Sequence, residues 1–244
     1  LTAPLIFGAD GATSTVARYL SDAKRKDLSH TSASIRTYFS KIEGNSALNE
    51  LEFYFFLVLL PGYFWIFPMP NGLFNVGVIV KSDQKNAQTK HLRQHFYRII
   101  EKEPLLKHRF REAQQIGELQ GWMLPLNSAK KQLAGENYLL LGDAGSLIEP
   151  FSGKGIGIAM VSGKVAAEFA EKAIAKNKFD AATLREYNEA MYRRYKWEWY
   201  WSWRFHKWYE SATFVNRFTA AYQFPGVQPL TERLVNRWIA QWMH

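Results

Sequence analysis

The sequence YLLLGDAG at residues 138–145, followed by PFSGKGIG at residues 150–157, decides how the rest of the chain is interpreted. The apolar run Tyr138–Leu141 predicts a buried strand, which delivers Asp143 to the sheet edge where α/β proteins bind ligands. A carboxylate there can accept hydrogen bonds from sugar-like hydroxyls. The glycines let backbone approach a flat ligand, and a helix beginning near Gly155 would direct its amides and positive dipole end at that ligand.

The residues alone leave a plainer interpretation of this segment open. A strand, a turn and a helix follow one another in many proteins, and Asp143 would then only cap the helix. An isolated Gly-Asp pair does not decide between a helix cap and a ligand-binding carboxylate.

Composition limits the classes of protein that the chain can belong to. The 244 residues suit one large domain or two small ones, and 47% hydrophobic with 22% charged residues is typical of a globular protein. The net charge of +9 favours anionic partners. The absence of cysteine excludes disulfides, thiolate metal sites and cysteine nucleophiles, and fits a reducing compartment. No apolar run reaches the roughly 18 residues that a membrane-spanning helix needs.

Patterning predicts a mixed α/β chain with a β-rich middle. Ser14 is expected to cap a short helix that ends near Leu20, and residues 22–29 form a charged connector. Asn71-Gly72 is a strong hairpin signal. The predicted strands are Pro4–Phe7, Ile35–Ile42, Leu51–Leu60, Tyr63–Phe67, Phe74–Val80, Gln115–Leu124 and Tyr138–Leu141, and those between Ile35 and Val80 make an antiparallel sheet of about four strands. The predicted helices are Asn86–Lys102, Gly155–Lys176 and two or three more within residues 181–244.

The decisive segment resembles the second FAD fingerprint of flavoprotein hydroxylases and geranylgeranyl reductases. The matching residues are Gly142, Asp143, Ala144, Pro150, Gly153 and Gly155. The resemblance implies that Asp143 binds the ribityl chain of FAD and that the loop from Pro150 to Ile156 lies against the flavin ring. The helix N-terminus, with Lys154 beside it, would then stabilise the negative charge of the reduced ring. Lys154 departs from the family, whose geranylgeranyl reductases usually carry glutamate there.

Two further segments resemble the same family. The sequence from Gly8 to Arg18 is similar to its Asp-Gly motif, which implies that Asp10 and Gly11 lie beside the FAD pyrophosphate and are implicated in nicotinamide cofactor binding. Without the family, this loop is an ordinary turn.

The aromatic segment from Tyr63 is similar to a geranylgeranyl reductase signature, which implies a tunnel for a polyprenyl chain. Its residues are Tyr63, Trp65, Phe67 and Pro68, followed by Gly77 and by Ile79 where the family has glycine. Alternate strand residues point to one side, so the three rings present one aromatic face. An ordinary core face is the alternative.

The resemblance implies the fold class and the domain organisation. We expect the C-terminal portion of a two-domain FAD-binding fold, with an antiparallel substrate-domain sheet and a helical C-terminus. Residues 1–27 and 128–176 would belong to the FAD-binding domain, 28–127 to the substrate domain and 177–244 to the helical region. The family's Gly-x-Gly-x-x-Gly unit would lie upstream of Leu1, so this chain is not expected to hold FAD tightly by itself.

The resemblance also implies the function. We expect an FAD-dependent oxidoreductase that reduces double bonds of an isoprenoid or related lipid, with NAD(P)H as electron donor and a cytoplasmic location. The residues identify no catalytic group, although Tyr63 is a conceivable proton donor. A flavin-dependent hydroxylase and a non-catalytic fragment that binds a membrane or a partner protein are the alternatives.

The C-terminal region is rich in tryptophan, with seven of nine at or after Trp197. Strict alternation from Trp197 to Phe205 is typical of a strand, but the residues before it have helical spacing, so we predict a helix. Trp197, Trp201, Phe205 and Trp208 would form one stripe that Trp199 and Trp203 widen. Interleaved cations suggest peripheral contact with a membrane, whereas closure of the pocket is the alternative.

Other ligand classes find little support in the sequence. Nucleic-acid binding through stacked rings has no recognised motif, so no nucleic-acid partner is expected. His91 and His95 have a spacing that can hold a metal, but without the zinc-protease glutamate they predict a solvated helix face and no metal site.

Overall fold

The fold was analysed in a computed structural model, which describes residues 3–21, 30–44, 50–82 and 91–222. The predicted connector 22–29, the first residues of the helix predicted from Asn86 and the tail after residue 222 lie outside the described residues. The described strands are β1 Ile6–Gly8, β2 Thr31–Ser40, β3 Glu52–Tyr54, β4 Tyr63–Met69, β5 Leu73–Lys81, β6 Gln114–Pro125, β7 Ala134–Gly135 and β8 Tyr138–Leu140. The described helices are α1 Thr15–Leu20, α2 Leu92–Lys102, α3 Pro104–Lys107, α4 Ile156–Lys176, α5 Ala181–Tyr209 and α6 Ala212–Tyr222.

The strands form two sheets, which confirms the predicted mixed class with an antiparallel sheet and a helical C-terminal part. The larger sheet has the order β3-β4-β5-β2-β6, and every neighbouring pair in it is antiparallel. The smaller sheet has the order β1-β8-β7, with β1 parallel to β8.

The larger sheet buries one face against α2 and α3. Alternate residues of β4 and β5 point to this face, and Phe64, Ile66, Val76 and Val78 are all fully buried there. Phe96 of α2 stacks on Phe64 with 5.8 Å between ring centroids. The three predicted substrate rings, Tyr63, Trp65 and Phe67, lie on the opposite face of β4.

The smaller sheet is covered by α4 and α5. Leu139 of β8 is fully buried with Ala166 of α4 and Leu184 of α5. Tyr187 of α5 is also fully buried, and its hydroxyl donates a hydrogen bond of 2.9 Å to the Leu140 carbonyl oxygen. The small residues of α4 allow this close packing, which fixes the position of the segment between β8 and α4.

In the larger sheet, one turn prediction is confirmed and one strand prediction is partly wrong. Asn71 and Gly72 both have positive φ, 64° and 69°, as the predicted Asn-Gly hairpin between β4 and β5 requires. The strand predicted over Leu51–Leu60 is wrong beyond Tyr54. A turn replaces it, because the Leu59 amide donates to the Phe56 carbonyl oxygen and the Gly62 amide donates to that of Leu59.

A short crossing segment joins the two sheets. The Leu126 amide donates to the His30 carbonyl oxygen beside β2, at 2.9 Å, and the Asn127 amide donates to the Ile148 carbonyl oxygen, at 2.7 Å. Leu126 and Ile148 also form an isolated parallel bridge. The segment after Ile148 is thereby brought against the larger sheet.

Arg109 ties the end strand β3 to the chain that follows α3. Its guanidinium donates to both carboxylate oxygens of Glu52, at 2.5 and 2.9 Å, to the Tyr54 hydroxyl and to the Glu43 carbonyl oxygen.

We expect Arg109→Met to lower the unfolding free energy by roughly 1–3 kcal/mol, because the half-buried Glu52 loses its cation. Urea denaturation would measure the loss, with the exposed Arg98→Met of α2 as control. Equal midpoints for the two variants would contradict the assignment.

Candidate functional site

The two loops that carry the FAD-like motifs lie side by side. Because β1 and β8 are parallel neighbours, their carboxyl ends meet at one sheet edge, and the Leu141 amide donates to the Gly8 carbonyl oxygen at 2.9 Å. The contact is close because Gly8 has no side chain. A Cβ at that position would come within 2.7 Å of the Leu140 side chain.

In the first loop, the two predicted residues Asp10 and Gly11 have different surroundings. The Asp10 carboxylate accepts hydrogen bonds from the Ser14 hydroxyl at 2.5 Å and from the Thr15 amide at 2.7 Å, so it caps α1 together with Ser14. Burial opposes these bonds, but they hold the pKa of the Asp10 carboxyl below its usual value. Gly11 has a φ of 76°, and a Cβ at that position would meet no atom within 4 Å, so its backbone remains accessible to a ligand.

The Asp143 carboxylate is half-buried and unpartnered, in contrast to that of Asp10. Asp143 lies on the single helical turn Gly142–Gly145 directly after β8, and the Gly142 amide donates to the Ser162 hydroxyl of α4 at 3.0 Å. Among the described residues, no donor bonds the Asp143 side chain, and burial raises the pKa of its carboxyl. The capping alternative is therefore wrong, since α4 begins at Ile156 without any side-chain cap.

The segment from Pro150 to Ile156 returns to Asp143 and places the end of α4 beside it. A Cβ on Gly155 would lie 3.5 Å from the Asp143 Oδ1 atom and 3.3 Å from the side chain of Ile148. Pro150 and Ala144 are buried, whereas Ile156 in the first turn of α4 is 82% exposed. An acceptor carboxylate and uncapped helix amides thus border one space, which suits a ligand with both hydroxyl groups and a developing negative charge.

Lys154, which departs from the family pattern, is balanced by acidic residues that sequence reasoning missed. Its ammonium lies 3.1 Å from a carboxylate oxygen of Glu198 on α5. Glu149, almost fully buried, accepts hydrogen bonds from the amides of Phe151 at 3.0 Å and Ser152 at 2.7 Å. Burial raises the pKa of the Glu149 carboxyl despite these bonds. Glu198 was missed because the register of α5 against this loop is a tertiary property.

Glu198 gives the protein a pH-dependent stability. Burial raises the pKa of its carboxyl from 4.5 to about 7, although Lys154 opposes the shift. An acid with a raised folded-state pKa binds more protons when folded, so its contribution to stability falls as pH rises from about 4.5 to about 7.

We expect Glu198→Gln to reduce the fall in melting temperature between pH 5 and pH 8. Asp143 and Glu149 would keep part of the fall, because the pKa of each is also raised. Glu189→Gln is the matched control, since Glu189 lies exposed on the same helix and pairs with the exposed Arg185. Thermal scans at both pH values would test this, and an unchanged slope in Glu198→Gln would disprove it.

The predicted aromatic face adjoins the same loop. The Tyr63 hydroxyl donates to the Ser152 carbonyl oxygen at 2.5 Å, and a Cβ on Gly153 would lie 3.5 Å from both the Tyr63 hydroxyl and the Ile79 side chain. Ile79, the departure from the family signature, therefore supports the loop from the sheet side.

Trp65 and Phe67 continue this face along β4. The Trp65 indole lies across Gly77, where a Cβ would come within 2.3 Å of the ring, and its N–H donates to the Asn75 side-chain oxygen at 3.0 Å. Trp65 and Phe67 are stacked with centroids 6.0 Å apart, and neither these rings nor Pro68 is fully buried. Tyr63 on the same side is buried, so the rings of this face become more exposed from Tyr63 towards Phe67.

Further aromatic residues extend the face, and the sequence had not indicated them. Phe53 and Phe55, 43% and 41% exposed, contact the Tyr63 ring with centroid distances of 5.3 and 5.9 Å. Phe151 of the loop meets Tyr209 of α5 at 5.1 Å, and Tyr209 meets Phe55 at 5.4 Å. The loop, the sheet and α5 thus share one band of rings.

His206 of α5 is a further residue near the loop that the sequence did not indicate. It is 3% exposed beside Pro150 and stacks on Trp203 with centroids 5.4 Å apart. Burial, reinforced by the charge of Lys81, lowers the pKa of its imidazole to about 4. A neutral histidine thus supports the loop. Within the described ranges, no group of three histidine, aspartate or glutamate side chains could hold a metal ion.

The two loops lie side by side at one edge of the smaller sheet, and comparison with known proteins identifies the class of protein. The family model described as tryptophan halogenase matches residues 60–206. The match spans more than half of the chain, which therefore belongs to the tryptophan halogenase family.

Individual relatives confirm the resemblance to geranylgeranyl reductases. The chain is 34% identical over 185 residues to a digeranylgeranylglycerophospholipid reductase of Methanocaldococcus jannaschii, a match that covers 75% of this chain and 45% of that protein. The chain thus spans about half the length of the curated relatives that it matches.

Two solved structures share the fold. A geranylgeranyl bacteriochlorophyll reductase-like protein from Thermoplasma acidophilum has a TM-score of 0.72 at 23% identity, covering 95% of this chain and 62% of that chain. A halogenase in complex with FAD has a TM-score of 0.61 at 17% identity, covering 78% of this chain and 41% of that chain.

Proposed function

We propose that this chain forms the substrate-binding part and the flavin-facing loop of an FAD-dependent reductase that saturates double bonds of an isoprenoid lipid. The observation that carries the proposal is the hydrogen bond between Tyr63 and Ser152, because it joins the aromatic sheet face to the loop that the family places against the flavin ring. The named activity of the M. jannaschii relative, on a lipid with geranylgeranyl chains, supports this substrate class.

The residues present fit FAD. The unpartnered Asp143 carboxylate would accept hydrogen bonds from ribityl hydroxyls, and the accessible backbone of Gly11 would lie beside the pyrophosphate. The uncapped amides of Ile156 and Gly157 would face the ring edge that becomes negative on reduction. Lys154 contributes less positive charge there than its ammonium suggests, because Glu198 pairs with it.

Reduced FAD would supply a hydride to one carbon of the alkene, and a proton would complete the other carbon. The chain's own part is to position the alkene and exclude water, which the rings of Trp65, Phe67 and Phe55 do as an apolar face beside the loop. NAD(P)H is proposed as the source of electrons for the flavin.

Tyr63 serves this reaction as a positioning residue rather than as the proton donor. Burial, reinforced by the charge of Glu149, raises the pKa of the Tyr63 hydroxyl above its usual value. The hydroxyl proton is also engaged in the hydrogen bond to the Ser152 carbonyl oxygen. Water is therefore the proposed proton source.

The test is an anaerobic reaction of the FAD-loaded protein, reduced with NADPH or, failing that, with dithionite. Addition of an unsaturated isoprenoid glycerolipid should reoxidise the flavin, and mass spectrometry should show two added hydrogens per double bond.

Phe55→Ala should raise the KM for the lipid several-fold, because it shortens the aromatic face. Trp122→Ala, which removes an exposed ring from β6, should leave the KM unchanged. A flavin that the lipid never reoxidises would refute the proposal.

An oxygen-using flavin enzyme is the second candidate, and the match to the tryptophan halogenase family model favours it. The same cofactor contacts would serve it. Admission of oxygen to the reduced protein distinguishes the two, because a hydroxylated or halogenated product, rather than a saturated lipid, identifies this candidate.

A further inference from the structure

The outward face of the second half of α5 has an unusual composition. Between Arg193 and Trp208, every exposed position is either aromatic or cationic. The exposed aromatic residues are Trp197, Tyr200, Trp201, Phe205 and Trp208. The exposed cations are Arg193, Arg194, Lys196, Arg204 and Lys207. We refer to these ten residues as the aromatic-basic face.

These residues occupy one continuous side of the helix. At 3.6 residues per turn they spread over roughly half of the circumference. The other half carries Tyr195, Trp199, Ser202 and His206, all of which are buried. The prediction that Trp199 widens the aromatic stripe is wrong, because its helical phase places it on the buried side. Trp203, also predicted to widen the stripe, is half-buried beside His206 and Lys81.

Acidic neighbours do not neutralise the charge of the face. Glu198, the acid within this stretch, is half-buried and pairs with Lys154 of the loop. Glu210, just beyond it, pairs with Lys81 at 2.7 Å as well as with Lys207 at 3.3 Å. Both acids are thus partly neutralised by cations from outside the face, which keeps its positive charge.

Cations of the aromatic-basic face lie close to its aromatic rings. The Arg204 guanidinium lies 5.9 Å from the Tyr200 ring centroid and 5.6 Å from that of Trp208. The Lys196 ammonium lies 5.4 Å from the Trp197 centroid. In water such large exposed rings are unfavourable, whereas at a bilayer surface they occupy the headgroup zone while the cations meet anionic lipid.

From this charge complementarity we infer that the aromatic-basic face docks the protein on the surface of a bilayer that contains anionic lipid. A second copy of the chain fits the face poorly, because pairing would bring ten like charges together. Single-stranded nucleic acid is bound in charged grooves, whereas this surface is the convex side of one helix. The described part of the chain contains no helix with the length and apolar composition of a membrane span.

The location of the face gives the docking a consequence that rests on the proposed function. Phe205 belongs to the face and also contacts Phe151 of the flavin-facing loop, with 6.2 Å between centroids. Tyr209, one residue beyond Trp208, continues the ring contacts to Phe55 on the sheet. A docked protein would hold the aromatic sheet face close to the lipid from which an isoprenoid substrate emerges.

The test is co-sedimentation of the purified protein with vesicles of phosphatidylcholine alone and of phosphatidylcholine with phosphatidylglycerol. We expect strong binding to the anionic vesicles only. Trp197→Ser with Trp201→Ser should lower the partition coefficient at least tenfold, because two interfacial rings are lost. Arg193→Gln with Arg194→Gln should lower it roughly fivefold per cation and should reduce the salt dependence of binding, because two of the five cations of the face are lost.

Matched controls lie on other elements. Trp122→Ser removes an exposed ring from β6, and Arg93→Gln with Arg98→Gln removes two exposed cations from α2. These controls should bind vesicles like the parent protein. Absence of vesicle binding, or equal losses in the control and test variants, would overturn the inference. The same conclusion would follow if a single-stranded oligonucleotide bound more tightly than anionic vesicles and this binding were lost in Trp197→Ser with Trp201→Ser, because the face would then bind nucleic acid. Because the assay needs neither flavin nor substrate, its failure would leave the proposed reductase function standing.

Discussion

Asp143→Ala is expected to weaken FAD binding by about 10- to 100-fold. The variant removes charge-assisted hydrogen bonds to ligand hydroxyls, which contribute roughly 1.5–3 kcal/mol when one partner is ionised, and 1.4 kcal/mol corresponds to a tenfold change in Kd. Equilibrium dialysis against FAD measures the ratio of the two dissociation constants, and this ratio is informative even if the parent affinity is modest. The exposed Glu168→Ala of α4 is the control, and its Kd should match that of the parent.

Substitution of Asp143 should have a favourable effect on the stability of the flavin-free protein, in contrast to its unfavourable effect on FAD binding. Burial raises the pKa of the Asp143 carboxyl, so its contribution to folding falls as pH rises above about 4. Asp143→Asn, which removes the charge but keeps the shape, should therefore raise the melting temperature of the flavin-free protein at pH 8. A gain in stability with a loss of affinity is typical of a residue kept for a ligand. Weaker flavin binding together with lower stability would instead indicate a structural role.

The sequence predicted the parts of this site that depend on local order. Strand β8, the turn at Gly142 and helix α4 follow one another directly, and each has a strong local signal in apolar residues or glycine. The hairpin at Asn71-Gly72 was predicted for the same reason. The neighbouring loops after β1 and β8 followed from the family pattern, and the parallel pairing of the two strands explains their proximity.

What the sequence did not predict depends on contacts between distant segments. Glu198 meets Lys154 only because α5 crosses the loop in one register, and no periodicity along α5 reports that register. The alternating tryptophans suggested one broad stripe, although packing of α5 divides them between a buried and an exposed side. The strand predicted through Leu60 ended early because backbone hydrogen bonds of a turn replaced pairing with β4.

Gly62→Ala is expected to have the largest effect on folding. A Cβ at Gly62 would lie 1.8 Å from the carbonyl oxygen of Ile79 and 2.9 Å from that of Leu59. Both are backbone atoms, so no rotamer change relieves the contact, and the start of β4 must separate from β5. We expect a loss of roughly 3 kcal/mol or more, which lowers the melting temperature by roughly 6–12 °C in a chain of this size.

The separation would also disturb the flavin-facing loop, because Tyr63 follows Gly62 directly and pairs with Ile79 across the two strands. Gly121→Ala in β6 is the matched control. It adds the same methyl group to the same sheet, but its Cβ would meet the Ile35 side chain at an ordinary 3.5 Å. Its melting temperature should equal or exceed that of the parent, because alanine loses less entropy than glycine on folding. Equal melting temperatures for the two variants would show that β4 and β5 tolerate a side chain at their junction. The bond from Tyr63 to Ser152 would then not depend on this close backbone contact.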